Sequence, residues 1–318
     1  VGGGGADCMF DYLVSTCWAT EVAAGRGTEG QTMTSLSGCT FLIYSTIQGA
    51  ATNIATLSSG ADPVVFVCDG AYGEDVDFTG PTTSNVTIVG AGRDAVTITG
   101  QTSAGKTVNI APATMALLLH NLTITAHASV GAIALGNGGT NVQGGRIENC
   151  IINSSSNASG IGFDPGVATN PWFVSDSFFT GNGYGICDGS NGASDNIWSN
   201  VRFVNSVCSS AKGINFSNDG DFYSANSKFT GAVGWDFTSG SQSLNIHSVN
   251  DSFSCSTAGV RAATAGPAQA TWADGRFINC TKSFDFGSSA NNADSIRIEG
   301  CEFKTSTGTD IAIDDTSL

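Results

Sequence analysis

The sequence predicts an all-β coil of short parallel strands, and three observations carry the prediction. The first is a phrase used nine times between Asn85 and Phe303: Asn or Asp, a small or apolar residue, a further residue, then a large apolar one. It reads Asn85-Val-Thr-Ile88, Asn121-Leu-Thr-Ile124, Asn149-Cys-Ile-Ile152, Asp176-Ser-Phe-Phe179 and Asn200-Val-Arg-Phe203. It continues as Asn226-Ser-Lys-Phe229, Asn250-Asp-Ser-Phe253, Asp274-Gly-Arg-Phe277 and, with Gly leading, Gly300-Cys-Glu-Phe303. The second observation is the period: the large residues step by 36, 28, 27, 24, 26, 24, 24 and 26, the mark of a solenoid. The third is alternation with period two in two further rows. One comes after the phrase (Val96/Ile98, Ile133/Leu135, Ile161/Phe163, Ile214/Phe216, Trp235/Phe237, Phe284/Phe286, Ile311/Ile313) and one precedes it (Leu117/Leu119, Trp172/Val174, Ile296/Ile298). Three short strands per turn, with no helical period between them, describe a coil of three parallel sheets whose core comes from stacking.

The Asn has a physical task. It tolerates the left-handed backbone that a tight corner needs, and stacked amides can bond to the copies above and below. An Asn ladder at a bend, succeeded by an inward aromatic stack, resembles the right-handed parallel β-helices of the pectin-lyase-like superfamily over roughly residues 41–313. The resemblance implies a single-stranded right-handed parallel β-helix; the repeats count to about 9–10 coils, which at about 4.8 Å each give a rod about 45 Å long. It implies no single function, because that superfold hosts many activities.

From the front, residues 1–40 do not repeat and form a disulfide-rich extension in which Cys8, Cys17 and Cys39 tie down the start of the coil. The extension either caps the first coil or reaches a neighbour. At Ser45 the pattern turns helical: Ile47, Ala50, Ala51, Ile54 and Leu57 share a face, and Ser45 with Gln48 reads as a capping box. A buried strand comes next over 63–68, then Gly70-Ala-Tyr-Gly-Glu74 and Val76-Asp-Phe78. This order, ahead of Asn85-Val-Thr-Ile-Val-Gly-Ala-Gly92, resembles the front end of pectin methylesterases, where the helix plugs the open end of the solenoid. Tyr72 and Glu74 are then structural parts of a capped first turn. Residues 99–116 read as an insertion that accounts for the 36-residue step, 41–313 as the β-helix domain, and 314–318 as an acidic tail.

Composition narrows the partners. The chain of 318 residues is one domain, since a solenoid grows by adding turns. Only 12% of it is charged, and 42 residues are Gly, which suits many tight turns. The net charge of −15 argues against nucleic acid and against anionic membranes, and is compatible with neutral glycans. Ten Cys, none in a CxxC pattern, point to an oxidising compartment, and three His leave little for zinc. No cofactor and no membrane span are expected, because no apolar run reaches 18 residues. A first residue other than Met suggests a removed signal peptide or a trimmed chain, and an extracellular, secreted or cell-surface location.

The catalytic sets of the resembling families are missing from their expected places. The paired aspartates, flanking glutamines and Arg-Pro-Trp of pectin methylesterases are not found. Neither are the Asn-Thr-Asp, Gly-His-Gly and Arg-Ile-Lys segments of polygalacturonases. Asp285 lies between the inward Phe284 and Phe286 and is simply the outward residue of that strand. Three outward features remain. Arg202, Lys228 and Arg276 precede their anchors and form a candidate strip for acidic polysaccharide, or pair with acids such as Glu302. Phe173, Ile197, Tyr223 and His247 form a stripe suited to a covering loop, a sugar-stacking surface or a subunit contact. Among the sequons, Asn85, Asn121 and Asn250 belong to the ladder, whereas Asn153 and Asn157 in a turn, Asn215 and Asn279 are glycosylation candidates. Cys255 and Cys280 fall about one rung apart and are a candidate disulfide, while Cys150 and Cys301 are expected as buried thiols. The expected function is a non-catalytic structural or adhesive rod, self-assembling as a homo-oligomer or filament subunit. The alternative is a polysaccharide-active enzyme (lyase, esterase or hydrolase) or a carbohydrate-binding, tail-spike-like protein.

Overall fold

The computed structural model describes residues 10–34, 40–57, 61–78, 85–102, 105–110, 116–129, 132–137, 144–154, 161–164, 172–187, 199–204, 207–216, 220–237, 242–262, 267–287, 295–304, 308 and 310–313. They form a parallel β-solenoid. Among them, the first sheet runs over thirteen strands. After a short front section it climbs through Val64–Val67, Val86–Gly90, Leu117–His120, Gly145–Glu148, Trp172–Ser175, Ser199–Val204, Gly220–Ala225, Gln242–Val249, Pro267–Ala273 and Ser295–Glu299, all parallel. A second row climbs beside it from Gly70–Gly73 and Val96–Thr99 to Arg276–Ile278 and Glu302–Lys304. A third begins with Val76–Phe78, Lys106–Ile110, Ile133–Asn137 and Ile161–Asp164 and ends with Lys282–Phe286 and Ile311–Ile313. Between these limits the second and third rows fuse into single long strands such as Lys228–Phe237 and Ser252–Ala262, bent at an irregularity between Gly231 and Val233.

The corner between the first and second rows is the Asn ladder. Asn121, Asn149, Asp176, Asn226, Asn250 and Asp274 hold φ between 51° and 59°, and Gly300 takes 62° on the last turn. A left-handed conformation costs most side chains about 1–2 kcal/mol, and Asn, Asp and Gly tolerate it best. The amides also bond along the stack: Asn149 Nδ2 donates to Asn121 Oδ1 at 2.5 Å, and Asn250 Nδ2 to Asn226 Oδ1 at 2.8 Å. Just inside the corner, Phe229, Phe253, Phe277 and Phe303 stack at centroid distances of 5.1, 4.7 and 5.5 Å, with Phe179 buried further down the same lane. Trp235 packs edge-on against Phe229 and Phe253 from the third row and closes the interior.

Three register expectations are corrected here. Asn85 lies outside the ladder: Val86 and Ile88 pair with Leu117 and Leu119 in the first sheet. The rung below Ile124 is Ile98, 26 residues earlier, so the 36-residue step compares two different rows. Gly90 stands beside the corner instead, where an added Cβ would run into the carbonyl oxygen of Asn121. Residues 99–116 are not an insertion, since Lys106–Ile110 is a third-row strand between Val76–Phe78 and Ile133–Asn137. Phe203 is not in the phenylalanine lane. It pairs with Val174 in the first sheet, and Cys208 takes the rung between Phe179 and Phe229.

The front is closed by the chain itself. Tyr12–Val14 is a parallel rung of the first sheet between Thr40–Tyr44 and Val64–Val67, so part of the segment expected to be non-repeating belongs to the solenoid. The sheet then ends on an antiparallel edge, Gln31–Thr34. Helix α1 (Thr16–Ala23) lies near Gly70–Gly73, and helix α2 (Ile47–Ile54) buries Ile47, Ala50, Ala51 and Ile54. The cap of α2 is Thr46 rather than Ser45, its hydroxyl accepting from Gly49 N at 3.0 Å. Glu74 supplies the remaining acceptors: its two oxygens take Ile47 N at 2.9 Å and Gln48 N at 2.8 Å. Burial raises this carboxyl, against the pull of those amides. Tyr72 is buried and donates to Cys68 O at 2.9 Å, so both residues are structural, as expected from their place in the first turn.

The far end differs. Trp272, Phe277 and Phe284 are buried, yet one rung later Ile298 and Phe303 are only partly covered and Ile311 is 41% exposed. Ser295–Glu299, Glu302–Lys304 and Ile311–Ile313 are the last strands of their rows. The tail 314–318 lies outside the described residues.

Candidate interaction face

One lane of the first sheet runs without a break in register, and its described side chains face outward. Paired rung by rung, it runs Leu118, Arg146, Phe173, Arg202, Tyr223, His247, Thr271, Arg297. Alternation puts it outward, because its neighbours in sequence (Trp172 and Val174, Phe222 and Ser224, Ile246 and Ser248) are buried. Phe173 and Tyr223 are each 38% exposed, and Arg146 and His247 are exposed with them. Arg146 stacks over Phe173, its guanidinium carbon 5.5 Å from the ring centroid. At about 4.8 Å per rung, Arg146 to His247 spans about 20 Å.

One flanking lane is polar. Asp221, Asn245, Gln269 and Ser295 occupy successive rungs, and Asn245 Nδ2 donates to Asp221 Oδ1 at 2.8 Å. On the other side Ala225, the exposed Val249 and Ala273 fill the middle rungs, and the carboxylates toward the two ends are committed. Glu148 takes Arg146 at 3.2 Å and lies 3.7 Å from His120, and Glu299 takes Arg297 at 2.5 Å. Such exposed pairs contribute under about 1 kcal/mol each.

This register rearranges the two expected stripes. Arg202 leaves the proposed acidic-glycan strip and occupies the position between Phe173 and Tyr223 that was expected for Ile197. Ile197 itself lies outside the described residues. The signal was available: Val201 and Phe203 flank Arg202 as Trp172 and Val174 flank Phe173. Lys228 and Arg276 remain on the second row, two rungs apart across Ser252. Arg276 is bound to Glu302 at 3.0 Å, and Lys304 shares that carboxylate at 2.6 Å. These two bonds hold the Glu302 carboxyl below its usual range. The strip is therefore divided, and its Arg276 end is paired locally.

The glycosylation candidates differ in their surroundings. Asn153 sits in the strand Ile151–Asn153 rather than a turn, and its amide is engaged on both sides, donating to Thr125 Oγ1 at 3.1 Å and accepting from Thr180 Oγ1. That amide is spent in the folded chain. Asn157 lies outside the described residues, and Asn215 is described only as a rung of Val207–Phe216 beside Asp236. Asn279 is exposed at a left-handed corner with φ 57°. Two acids of the third row are paired. Asp285 binds Lys282 at 2.7 Å. Asp236 is buried and takes Arg261 from the next rung through two bonds, at 2.9 and 2.5 Å.

Cys17 is an exposed free thiol, while Cys8 and Cys39 lie outside the described residues. Cys150 is buried and its thiol is pushed up to about 12, chiefly by burial; Cys301 is partly buried. Cys255 and Cys280 are buried thiols, and the hydrogen bond from one to the other lowers Cys280 to about 7. Among the described residues, no group of three or more His, Cys, Asp or Glu is placed to hold a metal ion, and no helix is long and apolar enough to cross a membrane.

No protein-family model matches the chain, and no curated protein matches it in sequence. Among solved structures it is similar to a pectin methylesterase from Erwinia chrysanthemi, at 15% identity over 98% of this chain and 93% of the other, with a TM-score of 0.47. It is similar to Geobacillus virus E2 ORF18, at 14% identity over 93% of this chain and 63% of the other, TM-score 0.48. A third is an alginate lyase from Paenibacillus sp., at 12% identity over 80% and 96%, TM-score 0.39. The fold assignment rests on the strand register above and not on these likenesses.

Proposed function

We propose that the protein is a non-catalytic extracellular rod, structural or adhesive in role, that holds a polysaccharide along the outward lane of its first sheet. The observation that carries this reading is the continuity of Arg146, Phe173, Arg202, Tyr223 and His247 on successive rungs. Exposed rings offer faces to sugar rings, cations and amides offer donors to hydroxyls and carboxylates, and the rung repeat sets them in file. Two carboxylates beside the lane, Glu148 and Glu299, are tied to arginines, and Asp221 accepts from Asn245, which favours holding over proton transfer. Retardation in gels containing neutral and uronate polysaccharides tests the reading, with reducing-sugar release measured on the same samples. Retention that Tyr223→Ala and Phe173→Ala weaken, without sugar release, supports it. Cleavage or de-esterification of a glycan overturns it in favour of the enzyme alternative.

A second reading is favoured by the far end of the solenoid. On the last described strands Ile311 is exposed and Ile296, Ile298 and Phe303 are half-covered, which leaves apolar strand edges. Such edges recruit further strands, and end-to-end contact between copies would propagate into a filament unless the rotation closes. Light scattering at rising concentration tests this: mass growth that Ile311→Glu suppresses supports assembly, and a strictly monomeric protein removes it.

A further inference from the structure

At the corner where the second row turns into the third, one lane is made of very small residues. Gly100, Ala126, Ser154 and Gly181 succeed one another there, each directly after the aligned Thr99, Thr125, Asn153 and Thr180. Higher up, Gly231 pairs with Cys255 in the same lane. Space explains the composition: a Cβ added at Gly181 would run into Ser154 Oγ from the rung below, so side chains here reach into the neighbouring rung. On the next turn Phe277 pairs with Phe253 and Lys282 with Ala258, so Cys280 comes beside Ser256, one residue on from Cys255, and Thr281 Oγ1 donates to Ser256 O at 2.8 Å. Two cysteines therefore lie on adjoining turns at a corner whose lower rungs hold only Gly, Ala or Ser, close enough for one thiol to hydrogen-bond to the other. Their surroundings repeat: Cys255 Sγ lies 3.8 Å from Phe229 O, and Cys280 Sγ lies 3.8 Å from Phe253 O, one rung on. Both side chains are 1% exposed.

We propose that Cys255 and Cys280 are the site of an inter-turn disulfide that clasps two consecutive turns of the solenoid. Rungs about 4.8 Å apart fall within the Cα separation of about 4.4–6.8 Å that a disulfide spans. The step balances as an exchange. A small disulfide such as oxidised glutathione accepts two electrons, the two cysteines lose them with two protons, one S–S bond forms as another breaks, and two small thiols leave. Because both sulfurs are covered, the exchange occurs before the final turn has closed or during its opening. On the next described strands Ile296, Ile298 and Phe303 are only partly covered, whereas Trp272 and Phe277 one rung before are buried. The clasp resists separation of the two turns it joins. Cys150, on the ladder side of the second row, stays a thiol.

The full chain refolded with oxidised and reduced glutathione tests this, digested without reduction after alkylation of remaining thiols. The expected result is a linked peptide pair holding Cys255 and Cys280, lighter than the separate thiols by two hydrogen atoms, and a higher Tm than the reduced chain. Cys255→Ser is expected to abolish both. Recovery of the two residues as alkylated thiols after oxidative refolding overturns the proposal, as does either one linked to another cysteine. The peptide readout on the unmodified chain keeps that outcome decisive even where the variant fails to fold.

Discussion

Arg146 lies over the ring of Phe173 on the adjoining rung, its guanidinium carbon 5.5 Å from the centroid, while one of its nitrogens holds Glu148 at 3.2 Å. The pair shows how the lane is organised at this rung: the cation is oriented by a ring on one side and a carboxylate on the other, and the ring keeps a face to solvent. Removing Tyr223 tests the lane without disturbing the fold. Tyr223→Ala leaves the melting transition nearly unchanged, within about 0.5 kcal/mol, as surface substitutions do. It weakens polysaccharide retention by the loss of one stacking face, about 1 kcal/mol or several-fold in affinity. A variant that binds as well as the parent would place the contact elsewhere.

Core stacking gives a larger effect. Phe253 has rings above and below at 4.7 and 5.1 Å, 4° and 20° from parallel, and Trp235 across at 5.3 Å. Phe253→Ala opens a cavity on several rungs at once and costs about 3–5 kcal/mol. Urea unfolding measures it; a loss under about 1 kcal/mol would mean the stack contributes little.

The ladder corner separates backbone from side-chain contributions. Asn149→Gly keeps the left-handed backbone at φ 51° and forfeits only the amide bond to Asn121. Asn149→Ala loses both and is expected to be less stable than the Gly variant by about 1 kcal/mol. Equal stabilities would show that the corner is not strained.

These features differ in how far the sequence discloses them. The Asn phrase marks the corner because few residues accept that backbone, and the aromatic at the fourth position results from the inward alternation. The identity of a row is not written in any single phrase. Asn85-Val-Thr-Ile88 and Asn121-Leu-Thr-Ile124 look alike, yet the first lies in the first sheet and the second in the second row. Period-two alternation is the same on every wall, and only the pairing of neighbouring turns tells them apart. For the same reason Phe203 looks like the next ring of the stack, and Arg202 looks like a residue of the second row. The outward aromatics Phe173 and Tyr223 are legible because their buried neighbours are unmistakable.

A buried carboxylate should give the protein a measurable pH dependence. Asp251 sits just inside the ladder, accepting from Ser227 N at 2.9 Å and Ser248 Oγ at 2.7 Å, and burial raises it to about 6 in spite of those bonds. A raised folded-state value means that its favourable share is complete below the unfolded value near 3.8 and is lost as pH rises through about 6. Asp251→Asn is expected to flatten this part of the stability profile and to raise stability at pH 7 by on the order of 2 kcal/mol. Thermal melts between pH 4 and pH 7 check it, and an unchanged slope in the variant would assign the dependence to other groups.

The most direct test of the central claim is hydroxyl-radical footprinting of the native chain with and without a polysaccharide that retards it in gels. The account predicts protection concentrated at Phe173, Tyr223 and His247, with Phe178 on the second row and Ile311 at the far end still reacting at their free rates. Protection at Ile311 or Phe178 with the three lane residues unchanged would contradict it.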